Sequence, residues 1–358
     1  MGLVIVAWPA ASAGSPIGLL RTTVLGVPVT VATVALDAPG LSVSLETARG
    51  GAGRAETLET FGRRLPYASV AVPGAFFSMI NQRPVGNLVT DFHVLNQAPR
   101  AQRGTTLVFD ARNEASIIPG LEIRLGYQIN DGLAFWERPA YNLLHGLNSP
   151  LPRDGDSLKG FNRFYTDRQV HLGRAKAVVV EGERVTRLLS GGIADIPPYG
   201  FVIAGQGTSA DKIARLKPGT WLNVQPLTVP VIPGRLRTAI GAGPTLLRQG
   251  KVQSDWRGEG FRDPAVAGRT NRVVVGLVSP NRLKLILIQG AVDLAGAGLI
   301  ARALGCTEAM NFDGGSSSGM WAYGQLMQAP GRSLTNVLAF SMPGTVRPAT
   351  TASPVTPR

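Results

Sequence analysis

The segment Asn311-Phe312-Asp313-Gly314-Gly315-Ser316-Ser317-Ser318 has residue types in an order that can do chemistry. A strand over Ala309–Phe312 would deliver the Asp313 carboxylate to its tip. Gly314 and Gly315 then let the backbone take positive φ or come close to a ligand. The hydroxyls and backbone N–H groups that follow suit an anion-binding nest. The plainer alternative is a flexible Gly/Ser loop. That alternative gives no reason for an acid at the loop's mouth, or for the apolar Met320-Trp321 directly after it. Gly331-Arg332 and Asn336 lie downstream. Two upstream segments are equally unlike ordinary core or loop: Ala239-Ile240-Gly241-Ala242-Gly243-Pro244 and Asn271-Arg272-Val273-Val274-Val275-Gly276.

Other chemistries find less support. No G-x-S-x-G elbow is present, and Ser317 has no evident base, so a Ser-His-Asp hydrolase is not indicated. His93, His145 and His171 are isolated, with no Cys/His cluster and no metal-ligand spacing between them, so no metal site is read. Cys306 is the single cysteine, which excludes an intrachain disulfide; its apolar neighbours make it a small buried hydrophobe. Gly296-Ala297-Gly298-Leu299-Ile300-Ala301 matches the G-x-G-x-x-A dinucleotide fingerprint, with Asp313 as the following acid. The preceding strand ends too early for the required direct turn, however, and a helix with small residues on a packed face explains the match. Asp91 is a further candidate acid, in a segment that also reads as a turn.

The elements that must position these residues are mostly strands. Val27–Leu36, Leu41–Leu45, Ser69–Val72, Thr106–Phe109, Leu121–Ile129 and Trp221–Val224 carry short Val/Ile/Leu-rich runs bounded by turn formers. Hairpins are expected over Ala175–Val180 with Val185–Leu189, and over Val273–Val278 with Leu283–Ile288. Three helices are expected: Thr57–Leu65; Ser209–Leu216, with Ser209 as N-cap; and Leu294–Leu304, with Gly305 just beyond its end. Asn336–Ser341 is the last strand. Residues 130–173 are irregular and suit loops flanking a site. No repeat or linker is evident. The expected architecture is α+β: strand-rich mixed sheets with a few helices, in a single domain over 14–344.

Composition sets outer limits. A chain of 358 residues that is 44% hydrophobic can build a real core and is too apolar for disorder. It carries 36 Lys+Arg against 23 Asp+Glu, a net charge of +13. Such a field attracts anions. The basic residues are scattered, with no Lys/Arg block and no aromatic-basic stripe of the kind single-strand binders use, so no nucleic-acid partner is read. No stretch approaches the ~20 apolar residues of a spanning helix, so stable membrane insertion is not expected. Leu3–Trp8 followed by Ala11-Ser12-Ala13 reads as a signal-peptide remnant over 1–13, although a basic n-region is missing; a buried first strand is the alternative. The Thr/Pro/Ala/Arg segment 345–358 reads as a disordered tail.

Taken together, the motifs resemble the phosphodiester glycosidase family, which includes exopolysaccharide-associated bacterial members. The family signature N-L-D-G-G-G-S-S-T-M, then G-R, then N is similar to Asn311 through Met320, Gly331-Arg332 and Asn336. Its P-R-T-A-V-G is matched by Asn271 through Gly276, and its G-G-G-P-x-L-x-x-x-G by Gly241 through Gly250. Its N-G-G-F-F is matched by Pro73-Gly74-Ala75-Phe76-Phe77. The matched pieces cover roughly 65–342. Departures are Pro73 for the family's Asn, Ser316 for a Gly, Gly319 for a Thr, and Gln289-Gly290-Ala291 where a D-G-R is expected.

The resemblance implies hydrolysis of a sugar-1-phosphate ester, with an anionic carbohydrate or sugar phosphate as substrate and a secreted, periplasmic or cell-envelope location. A phosphate monoester leaves without full protonation, so such a site needs cations to hold charge rather than a second carboxylic acid. On this basis Arg272 and Arg332 would hold the phosphate. Asp313 would be the nucleophile, the base toward water, or the stabiliser of an oxocarbenium-like centre. Asn311 and Asn336 would orient sugar hydroxyls or the carboxylate, with Gly243 and Phe77 also lining the site. Gly314, Gly315 and Ser317 would offer donors. No cofactor is required; a divalent cation shared between Asp313 and phosphate is the one addition such a site admits. A module that kept the fold and binds anionic glycan without cleaving it is the alternative.

Overall fold

Antiparallel pairing organises the chain around one long sheet. In the computed structural model, which describes residues 6–7, 15–49, 51–99, 104–130, 132–134, 137–232 and 234–345, eight strands run in the order Val6–Ala7, Ile17–Val24, Val27–Ala35, Arg282–Val292, Thr270–Ser279, Glu308–Asn311, Thr245–Arg248 and Lys251–Val252. The two long partners, Thr270–Ser279 and Arg282–Val292, form the expected hairpin, and Val27–Ala35 pairs along the outer edge of the second. A five-stranded sheet faces this one, in the order Gln325–Gln328, Met320–Ala322, Ser69–Pro73, Asn336–Ser341 and Ser42–Thr47. Strands from the first 50 residues therefore pair with strands from the last 80 in both sheets. That interleaving makes the two ends of the chain parts of one domain.

The shared core between these sheets holds Val34, Val72, Leu285, Phe312, Leu338 and Phe340, all buried. Each such side chain contributes about 1.5–3 kcal/mol by leaving water. A third sheet, His93–Asn96, Leu88–Thr90, Leu236–Ala242, Thr105–Asp110 and Ala115–Pro119, closes one end of this core through Leu88, Leu107, Phe109 and Ile240. Beyond it, a three-stranded and another five-stranded sheet share a second core around Tyr127, Leu158, Val178 and Ile203.

The few helices cover sheet faces. Leu294–Ala303 lies on the outer face of the eight-stranded sheet with Ile300 and Ala301 buried. Asp293 caps it by accepting from the Gly296 amide, and Gly305 follows at φ +82°. A Cβ on Gly298 would come within 2.6 Å of the Leu246 carbonyl, so the G-x-G-x-x-A spacing serves helix-on-strand packing. Leu58–Gly62 is shorter than the expected Thr57–Leu65, and Thr57 is its N-cap. The third helix, Thr208–Ala214, starts after Gly207 rather than at Ser209. The Ser209 hydroxyl is not the cap; its amide donates instead to Asp156 at 2.7 Å. Residues 130–173 are less irregular than the sequence suggests, since Ser157–Phe161 is a sheet strand.

Of the expected leader, Val6–Ala7 is described, as a short strand against Ile17–Val24; the rest of 1–13, and 346–358 of the expected tail, lie outside the described residues. Among the described residues no helix is long and apolar enough to cross a membrane.

Candidate active site

Asp313 is delivered as the sequence implies. Strand Glu308–Asn311 ends, the Phe312 amide bonds the Val273 carbonyl at 2.8 Å, and Phe312 enters the core. The chain then leaves the sheet, and the Asp313 amide donates to the Gly74 carbonyl at 3.1 Å. Gly314 passes so near the neighbouring strand that a Cβ would sit 3.2 Å from the Asn271 carbonyl, and Gly315 takes φ +58°. Gly315–Ser317 then makes one 3-10 turn. The Gly331 amide donates to the Ser316 carbonyl at 2.8 Å, which fixes Arg332 against that turn.

The result is a compact polar triangle. Arg332 Nη2 donates to both carboxylate oxygens of Asp313, at 3.1 and 3.3 Å, and Arg332 Nε donates to Ser317 Oγ at 2.6 Å. The Ser317 hydroxyl and the Gly314 amide lie close enough to favour the ionised carboxylate. Asp313 is 3% exposed and Ser317 fully buried. Burial pushes the Asp313 carboxyl up to about 6, against the opposing pull of Ser317 and Arg332. The Arg332 side chain is 27% exposed. Its plane lies over the Phe77 ring at 4.9 Å, and Nη1 meets the Met79 sulfur at 3.1 Å. A thioether is a weak acceptor, so Nη1 is the guanidinium corner open to an incoming oxyanion. Among the described residues no group of three or more His, Cys, Asp or Glu converges to hold a metal ion.

The two asparagines position backbone. Asn336 Oδ1 accepts from the Ala75 amide at 2.8 Å, and its Nδ2 donates to the Ala75 carbonyl at 3.3 Å and Thr335 Oγ1 at 2.9 Å. It thereby pins Pro73–Phe77 beside Asp313. Asn311 Oδ1 accepts from Arg272 at 3.1 Å, and Nδ2 donates to the carbonyls of Gly243 and Phe312. Gly243, at φ +102° before a cis peptide bond to Pro244, returns a backbone bond to Asn311 at 2.8 Å.

Arg272 has a part different from the one expected of it. It is 2% exposed. Nε donates to the Val292 carbonyl, Nη1 to Asn311 Oδ1, and Nη2 to the carbonyls of Val266 and Gly268. Burial lowers its pKa to about 10, partly offset by Asp293. Its donors are turned onto the protein, so it clamps the chain behind the site while Arg332 faces the opening.

All three candidate segments are therefore brought together with Phe77, Arg332 and Asn336. Asp91 is not: it sits at φ +45° in a turn, 3.9 Å from Arg237, on a groove lined by none of these residues. The sequence reading missed two contributors, Met79 and Glu259, and named Gly74 only as part of a motif. Met79 touches Arg332. Glu259 braces the Gly243–Pro244 turn by accepting from Thr105 Oγ1 and the Thr245 amide. Gly74 has a steric part that the motif does not show: a Cβ there would lie 2.3 Å from Asn336 Oδ1. Gly74→Ala should therefore push Asn336 off the Ala75 amide and shift the Asp313 neighbourhood. Activity is expected to fall on the order of 100-fold for a displacement near 1 Å; wild-type kinetics in that variant would show that the Asn336 contact does not set the site's geometry.

The site thus pairs a buried carboxylate with a partly exposed arginine on a strand-rich α+β scaffold. Residues 173–341, the segment that carries Asp313 and Arg332, match the model of the phosphodiester glycosidase family. No curated protein sequence matches the chain. Crystal structures of other proteins share the fold. A hypothetical protein from Synechocystis superposes with TM-score 0.71 at 20% identity, covering 95% of this chain and 68% of its own. A candidate exported protein from Burkholderia pseudomallei K96243 gives 0.64 at 20%, covering 92% and 75%. The pro-peptide-inhibited catalytic domain of zebrafish N-acetylglucosamine-1-phosphodiester alpha-N-acetylglucosaminidase gives 0.47 at 13%, covering 95% and 88%, a likeness too loose to carry weight.

Proposed function

We propose that this protein hydrolyses a glycosyl phosphodiester, releasing a sugar from a phosphate ester, on an extracellular or envelope glycan. The observation that carries this is the pairing of buried Asp313 with Arg332, whose Nη1 is turned outward. Arg332 holds the leaving phosphate, which departs as an anion and needs no proton from a second acid. Asp313, ionised above about pH 6, attacks the sugar carbon or draws a proton from water. Arg272 acts through Asn311 as a positioning residue. An exported location is supported by the family's substrate class and by the exported-protein candidate among the structures that share the fold.

The test is incubation with UDP-N-acetylglucosamine and a panel of sugar-1-phosphodiesters, read as free reducing sugar. Pro73 keeps a second reading in view. It ends strand Ser69–Pro73 directly before the Gly74 carbonyl that anchors Asp313, where the family carries an amide side chain. If the folded protein releases no sugar but binds anionic glycan by calorimetry, the fold serves as a binding module instead.

The reaction should also show an acid limb. A diester keeps a single charge across neutral pH, so a fall in kcat/KM below about pH 6 would report Asp313 taking a proton. Arg332 holds the Asp313 pKa down. In Arg332→Gln the limb should move to higher pH while KM rises. A limb that stays in place would remove Asp313 as the titrating group.

A further inference from the structure

Four arginines from two distant segments meet on a concave surface away from Asp313. Arg49 and Arg54 come from the loop after strand Ser42–Thr47, and Arg163 and Arg168 from the chain after strand Ser157–Phe161. They line a basin of about 590 Å³ whose wall includes Phe164 and Tyr165. Among the described residues no carboxylate lines it and none of the four arginines is in an ion pair. All four are exposed. Four like charges in one hollow repel one another and raise the local potential, an arrangement that an anion in the hollow would relieve.

The convergence is built. The Ala52 amide donates to the Phe164 carbonyl at 3.0 Å, and Thr166 Oγ1 donates to the Ala52 carbonyl. Gly51, at φ +87°, passes so close that a Cβ would lie 2.6 Å from the Phe164 carbonyl. The same loop is tied to the strand that follows Arg332: the Ala48 amide bonds the Thr335 carbonyl, and the Glu56 amide the Leu334 carbonyl.

We propose that this basin binds the repeated phosphate or sulfate groups of an anionic saccharide chain. Guanidinium forks suit such oxyanions, and the Phe164 ring, with Arg163 over it at 5.1 Å, helps to hold one of the forks at the basin wall. The site is one of binding and stands whether or not Asp313 cleaves anything. If Asp313 does, the basin holds the polymer while Arg332 engages the linkage to be cut.

The test compares Arg54→Glu/Arg163→Glu with a control reversal of equal charge, Arg187→Glu/Arg215→Glu, in binding to sulfated dextran, neutral dextran and a single-stranded oligonucleotide of matched charge. The basin reversal should raise the Kd for sulfated dextran at least tenfold and the control less than twofold. Hydrolysis of a short sugar-1-phosphodiester should stay within twofold in both, which separates this site from the Asp313 reading. Arg49→Gln/Arg168→Gln, which only removes charge, should weaken binding in the same direction. Equal weakening by both reversals would reduce the effect to the general field of a +13 chain and overturn the proposal. So would binding of neutral dextran as tight as sulfated dextran, or tighter binding of the oligonucleotide.

Discussion

Asp313→Asn is expected to lower turnover of a sugar-1-phosphodiester by at least ~10³-fold, the scale seen when a nucleophile or base is removed, while the protein stays folded. Asparagine keeps the shape and can still meet Ser317 and Arg332, so substrate binding should survive better than turnover. The stability effect has a definite sign. The folded carboxyl titrates near 6 against an ordinary value of 3.8. A group whose pKa is raised by folding stabilises the fold below its unfolded value, and that contribution is lost as pH rises through the folded one. Wild type should therefore lose on the order of 2–3 kcal/mol from this group between pH 4 and pH 7, a loss Asp313→Asn escapes. The variant's melting temperature should match or exceed wild type at pH 7.5, with the gap closing toward pH 4.5. A variant that still turns over, or one that melts far below wild type at pH 7.5, would contradict this account.

What the sequence revealed of this site follows a pattern. Asp313 was legible because its context is local: an apolar strand, then two glycines whose backbone demands the structure bears out at Gly314 and Gly315. The hairpin Thr270–Ser279 with Arg282–Val292 and the strand Asn336–Ser341 were legible for the same reason, as continuous buried runs of strand formers. The role of Arg272 was not local. Its acceptors come from residues 266, 268, 292 and 311, and no spacing rule says which arginine will have its donors consumed that way. The Ser209 cap failed similarly, since its rival Asp156 lies 53 residues earlier. Strand Leu236–Ala242 went unread because it is buried on both faces and shows no alternation. The arginine basin assembles residues that look scattered along the chain, and only the pairing of Ala52 with Phe164 brings them together.

Arg272 separates a clamp from a phosphate holder, and the two assignments predict different losses. As a clamp, one buried cation satisfies the buried Val292 carbonyl and Asn311 Oδ1, together with the less buried carbonyls of Val266 and Gly268. Arg272→Met fills the volume but leaves the buried Val292 carbonyl and Asn311 Oδ1 unmet, at about 1–3 kcal/mol each, while water can take over at Val266 and Gly268. Partial relaxation makes about 2–4 kcal/mol the reasonable total for two buried acceptors, or roughly 4–10 °C in melting temperature. Arg272→Lys is the sharper experiment. Lysine keeps the positive charge but presents three donors at one point rather than a planar fork, so it cannot reach acceptors spread over segments 266–268, 292 and 311. The clamp assignment predicts that Arg272→Lys also melts several degrees lower, loses kcat through the displaced Asn311 and Gly243–Pro244 turn, and shows little selective change in KM. A phosphate holder would behave oppositely: lysine would keep the fold intact and raise KM. A wild-type melting temperature with raised KM in Arg272→Lys would return Arg272 to the substrate, and with it the two-arginine site that the sequence motifs suggest.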